Sequence, residues 1–395
     1  MFDDLNCSFC SQTSLQVNHL IKGLTGYICD DCVESAVQII EESKAQKEAY
    51  RNKPIRRRTV TPESIVKYLD DYVIGQHHAK RILAIALYNH SKRINRKLET
   101  EVQKSNVLLI GPTGCGKTYL VSTLARYFDV PFVSVDATSL TEAGYVGDDV
   151  DMIIGKLVSV AGDVKKAERG IVLIDEVDKI NSKDSGGRDI RGEGVQQALL
   201  KMMEGCVVSV NPDGGKKNPQ AKCVDVDTTN ILFVFSGAFS AITDKANSIA
   251  KLALGFQQKA KEAKIRLNSK DLIKFGMIPE FMGRIPVMAH LEPLTKENLS
   301  SILSEPKNSL AKQYQALFKA DDLEVEFAQD FLLECSDRAI KEGTGARGLR
   351  TIMEQALSDL MFEAPSLKIK KITVTKEIFD GGHYGPPKLE ISDKN

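Results

Sequence analysis

Residues 107–118 read Val-Leu-Leu-Ile-Gly-Pro-Thr-Gly-Cys-Gly-Lys-Thr. Gly111, Gly116, Lys117 and Thr118 fill the pattern G-x-x-x-x-G-K-[ST], with Pro112, Thr113, Gly114 and Cys115 between them. The chemistry this suits is polyphosphate binding. Glycines let backbone N–H groups close around the anion, the lysine ammonium reaches the β and γ phosphates, and the threonine hydroxyl ligates Mg²⁺. A glycine-rich turn without a ligand is the plain alternative. Further on, Gly170-Ile-Val-Leu-Ile-Asp-Glu-Val-Asp178 is an apolar run that ends in carboxylates. Asp175 is placed to hold a magnesium-bound water, and Glu176 to polarise an attacking water. Alone, such residues are a solvated strand end. Paired with the phosphate loop, they make the second half of a site that hydrolyses a nucleoside triphosphate, ATP with Mg²⁺.

A second constellation lies near the N-terminus. Cys7-x-x-Cys10 and Cys29-x-x-Cys32 have 18 residues between them, the spacing of four-cysteine zinc sites. A redox pair or four unrelated thiols are the competing readings. A segment of about 45 residues holds too little core to fold alone. Structural Zn²⁺ supplies about 10–16 kcal/mol to such a peptide. Four protein ligands leave no open position, so the metal would be structural. The scattered Cys115, Cys206, Cys223 and Cys335 read as small packing residues, with Cys115 also a candidate for oxidation or alkylation.

These residues must be positioned by a fold. An apolar strand before the phosphate loop and an amphipathic helix after it (Tyr119 to Phe128) suit the loop, because the helix N-terminus then faces the phosphates. Val107–Ile110, Pro131–Val135, Ile171–Ile174 and Ile231–Phe235 read as central parallel strands. Thr61-Pro62-Glu63-Ser64 opens a helix with Pro in its first position. The expected class is α/β, a nucleotide-binding domain followed by a mostly helical segment and preceded by the zinc module. Helical periodicity covers Lys296–Phe318, Ala328–Lys341 and Ala346–Phe362, and Lys368–Val374 reads as a short strand. The expected boundaries are a zinc module over 1–50, a basic linker over 51–60, a large domain over 61–292, a small domain over 293–380 and a disordered tail over 381–395.

Composition sets the bounds. The 395 residues hold 53 Lys+Arg against 53 Asp+Glu, so net charge is zero, which argues against bulk-charge binding of nucleic acid. No apolar run reaches the roughly 18 residues of a membrane span. The start, Met-Phe-Asp-Asp-Leu-Asn, lacks a basic n-region and an apolar core. The expectation is a cytoplasmic protein in a reducing compartment, where paired cysteines hold metal before they form disulfides.

Taken together, these pieces resemble the ClpX family of AAA+ protein unfoldases. The likeness runs from Cys7 to about Glu377. It is carried by the four cysteines, Leu69-Asp-Asp-Tyr-Val-Ile-Gly-Gln76, the phosphate loop, Asp175-Glu176, Gly144-Tyr-Val-Gly147, Pro279-Glu-Phe-Met-Gly-Arg-Ile-Pro286 and Gly345-Ala-Arg-Gly-Leu-Arg350. The resemblance implies that Val73 and Ile74 flank adenine, although without it ordinary core at the domain entrance is the favoured account. It implies that Arg284 is an arginine finger reaching a neighbouring subunit's γ-phosphate, and that Arg347 is a sensor of nucleotide state in the small domain. For either arginine alone, a surface ion pair is the usual explanation. It also implies that Tyr145 and Val146 line the channel of a homo-hexamer and grip an unfolded polypeptide. A nucleic-acid motor would carry Lys or Arg there. Residues 181–194 resemble a second pore loop. The zinc module would recruit substrates or adaptors and could dimerise.

Three places depart from the family pattern. Lys216-Lys217-Asn218 stand where Arg-Lys-His is common at the pore entrance. Leu254-Gly255-Phe256 stand where Ile-Gly-Phe docks a ClpP-type peptidase, a small change in volume. Cys115 stands where a small polar residue is usual. The sequence carries no protease triad. A stand-alone remodelling chaperone, a zinc-bearing nucleic-acid motor and a scaffold with a dead ATPase are the rivals.

Overall fold

A computed structural model of the chain describes residues 6–24, 26–37, 60–95, 99–141, 148–181, 192–211, 223–243, 267–366 and 370–379. Two contact units divide it, Met1–Val60 and Thr61–Asn395.

In the first unit, strands Leu20–Lys22 and Tyr27–Cys29 form an antiparallel hairpin, and residues 30–37 are helical. Among its described residues the buried apolar side chains are Cys7 and Cys29, whereas Phe9, Leu15, Ile21, Leu24 and Val37 are exposed. Burial therefore contributes little here.

The second unit is built on a five-stranded parallel sheet. Its strands are β1 (Val107–Ile110), β2 (Phe132–Asp136), β3 (Ile171–Asp175), β4 (Leu232–Gly237) and β5 (Val287–His290), in the order β5-β1-β4-β3-β2. β1 and β4 are buried at every position, as expected for central strands covered on both faces. Four strands match the apolar runs of the sequence. β5 was not anticipated. It is a four-residue edge strand of mostly half-buried side chains, without a long apolar run to announce it.

Pro62 sits at the start of helix Pro62–Asp70, where Thr61 and Ser64 make a reciprocal capping box. One large core packs Phe233, Phe235, Phe239 and Phe281 with the aliphatic faces of the sheet. A separate core spans Leu299 to Val374. There the expected helix 296–318 is two helices, Lys296–Ser304 and Leu310–Ala320, because Pro306 has no N–H to continue the first. The expected last strand is Lys371–Val374, paired in parallel with an unanticipated strand, Glu324–Phe327.

Candidate active site and zinc centre

The phosphate loop connects the C-terminal end of β1 to helix Lys117–Phe128. Gly114 (φ +78°) and Gly116 (φ +96°) hold left-handed conformations that suit glycine. A Cβ added at Gly116 would meet nothing within 4 Å, so the loop is open beside the helix start. That helix has no side-chain N-cap, which leaves its first N–H groups for an anion. Lys117 is buried, and its ammonium donates to the Gly111 carbonyl at 2.8 Å and the Pro112 carbonyl at 3.0 Å. Among the described residues no carboxylate pairs with it. A buried cation held only by carbonyl dipoles suits a phosphate.

β3 delivers the carboxylates beside this loop. The Thr118 hydroxyl donates to Asp175 Oδ2 at 3.1 Å. Asp175 Oδ1 accepts from the Glu176 N–H at 3.0 Å and from the Ser236 hydroxyl at 2.5 Å. Glu176 adopts a left-handed conformation (φ +57°, ψ +33°), uncommon for a non-glycine residue and typical of strained functional positions. It turns the chain sharply at the strand end and leaves its carboxylate exposed. Asp178 is buried and accepts from the backbone N–H groups of Ala238 and Phe239, both at 3.3 Å. Thr118 with Asp175 is a donor set that fits Mg²⁺, and open loop glycines with a buried Lys117 fit the phosphates of ATP.

The remaining predicted residues divide. Val73 is buried and Ile74 half-buried, in a segment fastened at both ends. The buried Lys80 ammonium donates to the Val73 carbonyl at 2.5 Å and to Asp70 at 2.6 Å. The Gln76 amide exchanges two 2.8 Å hydrogen bonds with the Glu292 backbone. Arg347 ends a short 3-10 turn, Gly345–Arg347, that touches the phosphate loop directly. The Ala346 N–H donates to the Gly114 carbonyl at 3.3 Å, and a Cβ at Gly114 would fall 2.7 Å from the Thr344 carbonyl. Arg284 lies elsewhere. Its carbonyl accepts from Asn106, the residue before β1, and its guanidinium pairs with Glu204 at 2.6 Å. It therefore sits at the N-terminal end of the sheet, opposite the chain's own phosphate loop.

Cys115 is only 4% exposed, and burial pushes its thiol pKa up despite the neighbouring Lys117 charge. Less thiolate and little access correct the expectation of a reactive cysteine. Tyr145, Val146, Lys216, Lys217, Asn218, Leu254, Gly255 and Phe256 lie outside the described residues. Of the flanking residues, Leu140 pairs with Asp148 and Thr141 with Asp149.

Sequence reasoning missed Ser236 and Gln76 as site residues. Ser236 is a fully buried hydroxyl after Leu-Phe-Val-Phe, and a polar break in so apolar a strand is the signal that was available.

In the first unit, Cys7, Cys10, Cys29 and Cys32 place their sulfurs within 4.8 Å of one another, with Cys10 and Cys29 at 3.6 Å. A tetrahedron with Zn–S bonds of about 2.3 Å has edges of about 3.8 Å. Cys7 Sγ accepts from the Cys29 N–H at 3.3 Å, and Cys29 Sγ from the Cys32 N–H at 3.4 Å. Burial alone would raise the Cys7 pKa, but N–H groups of Cys10, Phe9 and Cys29 and the Cys10 thiol more than offset it and hold the thiol at about 6, while the crowded neighbouring sulfurs and burial push Cys29 and Cys32 up. Two sharp turns that aim N–H groups at sulfur suit a thiolate–zinc centre and not a disulfide.

Comparison with known proteins agrees with this geometry. Residues 5–42 match the ClpX C4-type zinc finger, 102–288 the AAA domain (Cdc48 subfamily), and 294–375 the C-terminal, D2-small domain of ClpB protein. The ATP-dependent Clp protease ATP-binding subunit ClpX of Treponema denticola is 46% identical over 99% of this chain and 97% of its own length. The protein of the same description from Porphyromonas gingivalis is 44% identical over 99% and 98%. The chain belongs to the ClpX family. It is an AAA+ ATPase whose cofactors are ATP, Mg²⁺ and Zn²⁺. Membership of the ClpX family also accounts for a zinc module and an ATPase sharing one polypeptide.

Proposed function

We propose that this protein is an ATP-dependent unfoldase of the cytoplasm. It assembles as a homo-hexamer, threads polypeptides through a central pore and delivers them to a ClpP-type peptidase. The observation that carries this reading is the end-to-end likeness to ATP-binding subunits of Clp protease.

The site residues have these roles. Backbone N–H groups of Gly111 to Gly116 and the Lys117 ammonium bind the triphosphate. Val73 and Ile74 flank the base. Thr118 and Asp175 hold Mg²⁺, which when bound neutralises phosphate charge. Glu176, at a turned strand end with an exposed carboxylate, takes the proton of the attacking water. Arg347, on the turn against Gly114, couples the small domain to the loop. Arg284 faces away from the chain's own loop, which favours action on a neighbour's nucleotide, with Glu204 as its partner until then. Such a finger is worth about 10³–10⁵ in rate in other nucleotide hydrolases. Tyr145 and Val146 grip the substrate, and Leu254, Gly255 and Phe256 dock the peptidase. The zinc module recruits substrates and adaptors.

The test is ATP-dependent loss of fluorescence from a tagged, stably folded fluorescent protein. Wild type should unfold it. Glu176→Gln should bind ATP and unfold nothing. Tyr145→Ala should keep hydrolysing ATP while unfolding at least tenfold more slowly. Addition of a ClpP-type peptidase should convert unfolding into degradation. Unfolding without degradation would favour a stand-alone chaperone, and ATPase activity stimulated by DNA in place of protein would sink the polypeptide reading.

A further inference from the structure

We infer that Gln196 is a positioning residue shared by two ATP sites. Its buried amide ties the turn that carries Glu176 to the segment that leads into Arg284. One side chain thereby places the carboxylate that works in its own site and the arginine offered to the neighbour's. The inference rests on the ring and on the roles of Glu176 and Arg284 proposed above.

Gln196 lies in helix Glu193–Glu204 and is 0% exposed, on a face with the buried Leu199 and Met203. A primary amide in such a place costs free energy unless its polar atoms are paired. Its Nε2 donates to the Ile180 carbonyl at 2.8 Å and to the Gly276 carbonyl at 3.2 Å. Its Oε1 accepts from the Ile278 N–H at 2.8 Å. Both N–H donors are used, and a flipped amide would set its oxygen against two carbonyls. The surroundings therefore admit one orientation.

These bonds join segments that are far apart in sequence. Ile180 closes the 3-10 turn Val177–Lys179, which begins at Glu176. Ile278 is the N-cap of helix Pro279–Gly283, and Arg284 follows that helix. Asn181 adds a weaker link of the same kind, donating to the Phe275 carbonyl at 3.4 Å. The left-handed conformation of Glu176 persists only where its surroundings over-determine it. Asp178 holds the middle of that turn through Ala238 and Phe239, and Gln196 holds its exit. At the far end of the same helix, Glu204 pairs with the Arg284 guanidinium at 2.6 Å. One helix thus fixes the arginine segment twice, at its entrance through Gln196 and at its charged end through Glu204. Loss of the amide frees both Glu176 and Arg284 to shift, and misplacement by about 1 Å costs a reacting group on the order of 100-fold in rate.

The experiment uses full-length chains in mixed rings. A limiting amount of wild-type subunits is combined with an excess of Glu176→Gln subunits, which bind ATP, hydrolyse none and still offer Arg284 to their neighbours. ATP hydrolysis per wild-type subunit is measured. Gln196→Met keeps the length of the side chain and loses all three bonds. Placed in the excess Glu176→Gln subunits, it should lower the rate about tenfold, although it sits in subunits that hydrolyse nothing. Placed in the limiting active subunits, it should also lower the rate about tenfold. Affinity of each variant for a fluorescent ATP analogue should stay within about twofold. A loss confined to the active subunits would mean that Gln196 serves Glu176 alone, and would overturn the inference; so would no loss in either arrangement. Arg284→Ala in the excess subunits separates the two levels of the argument. If it lowers the rate and Gln196→Met does not, the reading of Arg284 stands and the role of Gln196 falls. If it changes nothing, the reading of Arg284 is wrong and the inference falls with it. Should Gln196→Met fail to assemble or to bind nucleotide, Gln196→Glu, which keeps the shape and the acceptor for Ile278, takes its place in both arrangements. Failure of both variants to bind nucleotide would show that Gln196 only supports the fold.

Discussion

The zinc module and the nucleotide-binding sheet solve the same problem by different physics. In the sheet, Leu109, Val172, Phe233 and Phe235 are buried, and the groups proposed for catalysis ride on strand ends whose places the core determines. Among the described residues of the module the buried apolar side chains are two of the metal ligands, and Phe9, Leu15 and Leu24 are 75%, 89% and 106% exposed. One region is held by the water it excludes and the other by the ion it coordinates. Each site is therefore sensitive to a different insult. A cavity in the sheet core threatens the ATPase, and loss of one metal ion threatens the module.

The largest effect expected is metal removal. Structural zinc binding is worth about 10–16 kcal/mol, more than a module of this size gains from burial. A strong chelator added to the full-length protein should abolish amide-exchange protection in residues 6–37. Protection in β1, β3 and β4 should persist, since their core contains no metal ligand. Retained protection in 6–37 without zinc would break the comparison, and so would simultaneous melting of the sheet.

Next in size is a cavity in the core. Phe233 is fully buried in β4, and its ring lies under the Lys104 ammonium at 4.9 Å. Phe233→Ala should cost about 3–5 kcal/mol. The denaturant midpoint of the ATPase unit should fall accordingly, with zinc content unchanged. A loss below about 1 kcal/mol would mean that the sheet relaxes to fill the space.

The two regions also differ in how much of them was legible. The zinc centre and the phosphate loop were readable because their ligands are close in sequence and their chemistry constrains the spacing. The four interior strands were readable because burial on both faces removes polar residues from them. β5 was not, because an edge strand only four residues long tolerates half-exposed side chains. The break at Pro306 was in plain view, yet helical periodicity on both sides masked it. Ser236 belongs to a different class of omission. It lies 61 residues from Asp175, and only the parallel register of β4 on β3 makes them neighbours. Arg284 and Arg347 looked alike as single residues. Their placement separates them, because the turn that carries Arg347 contacts the phosphate loop of its own chain through Ala346, whereas the Arg284 carbonyl accepts from Asn106 at the start of β1.

The smallest expected effect is the sharpest probe of the difference between the regions. Leu15 is a large apolar residue, and in the sheet its truncation would cost several kcal/mol. In the zinc module it is 89% exposed, so Leu15→Ala removes almost no buried area. Substitutions at such positions usually fall within about 0.5 kcal/mol. Zinc release from the full-length protein, followed by competition with a chelator, should therefore shift by less than about twofold. A much weaker hold on zinc in Leu15→Ala would show that apolar contacts of this residue support the four sulfurs. The module would then owe part of its stability to burial, and the contrast with the sheet would be one of degree.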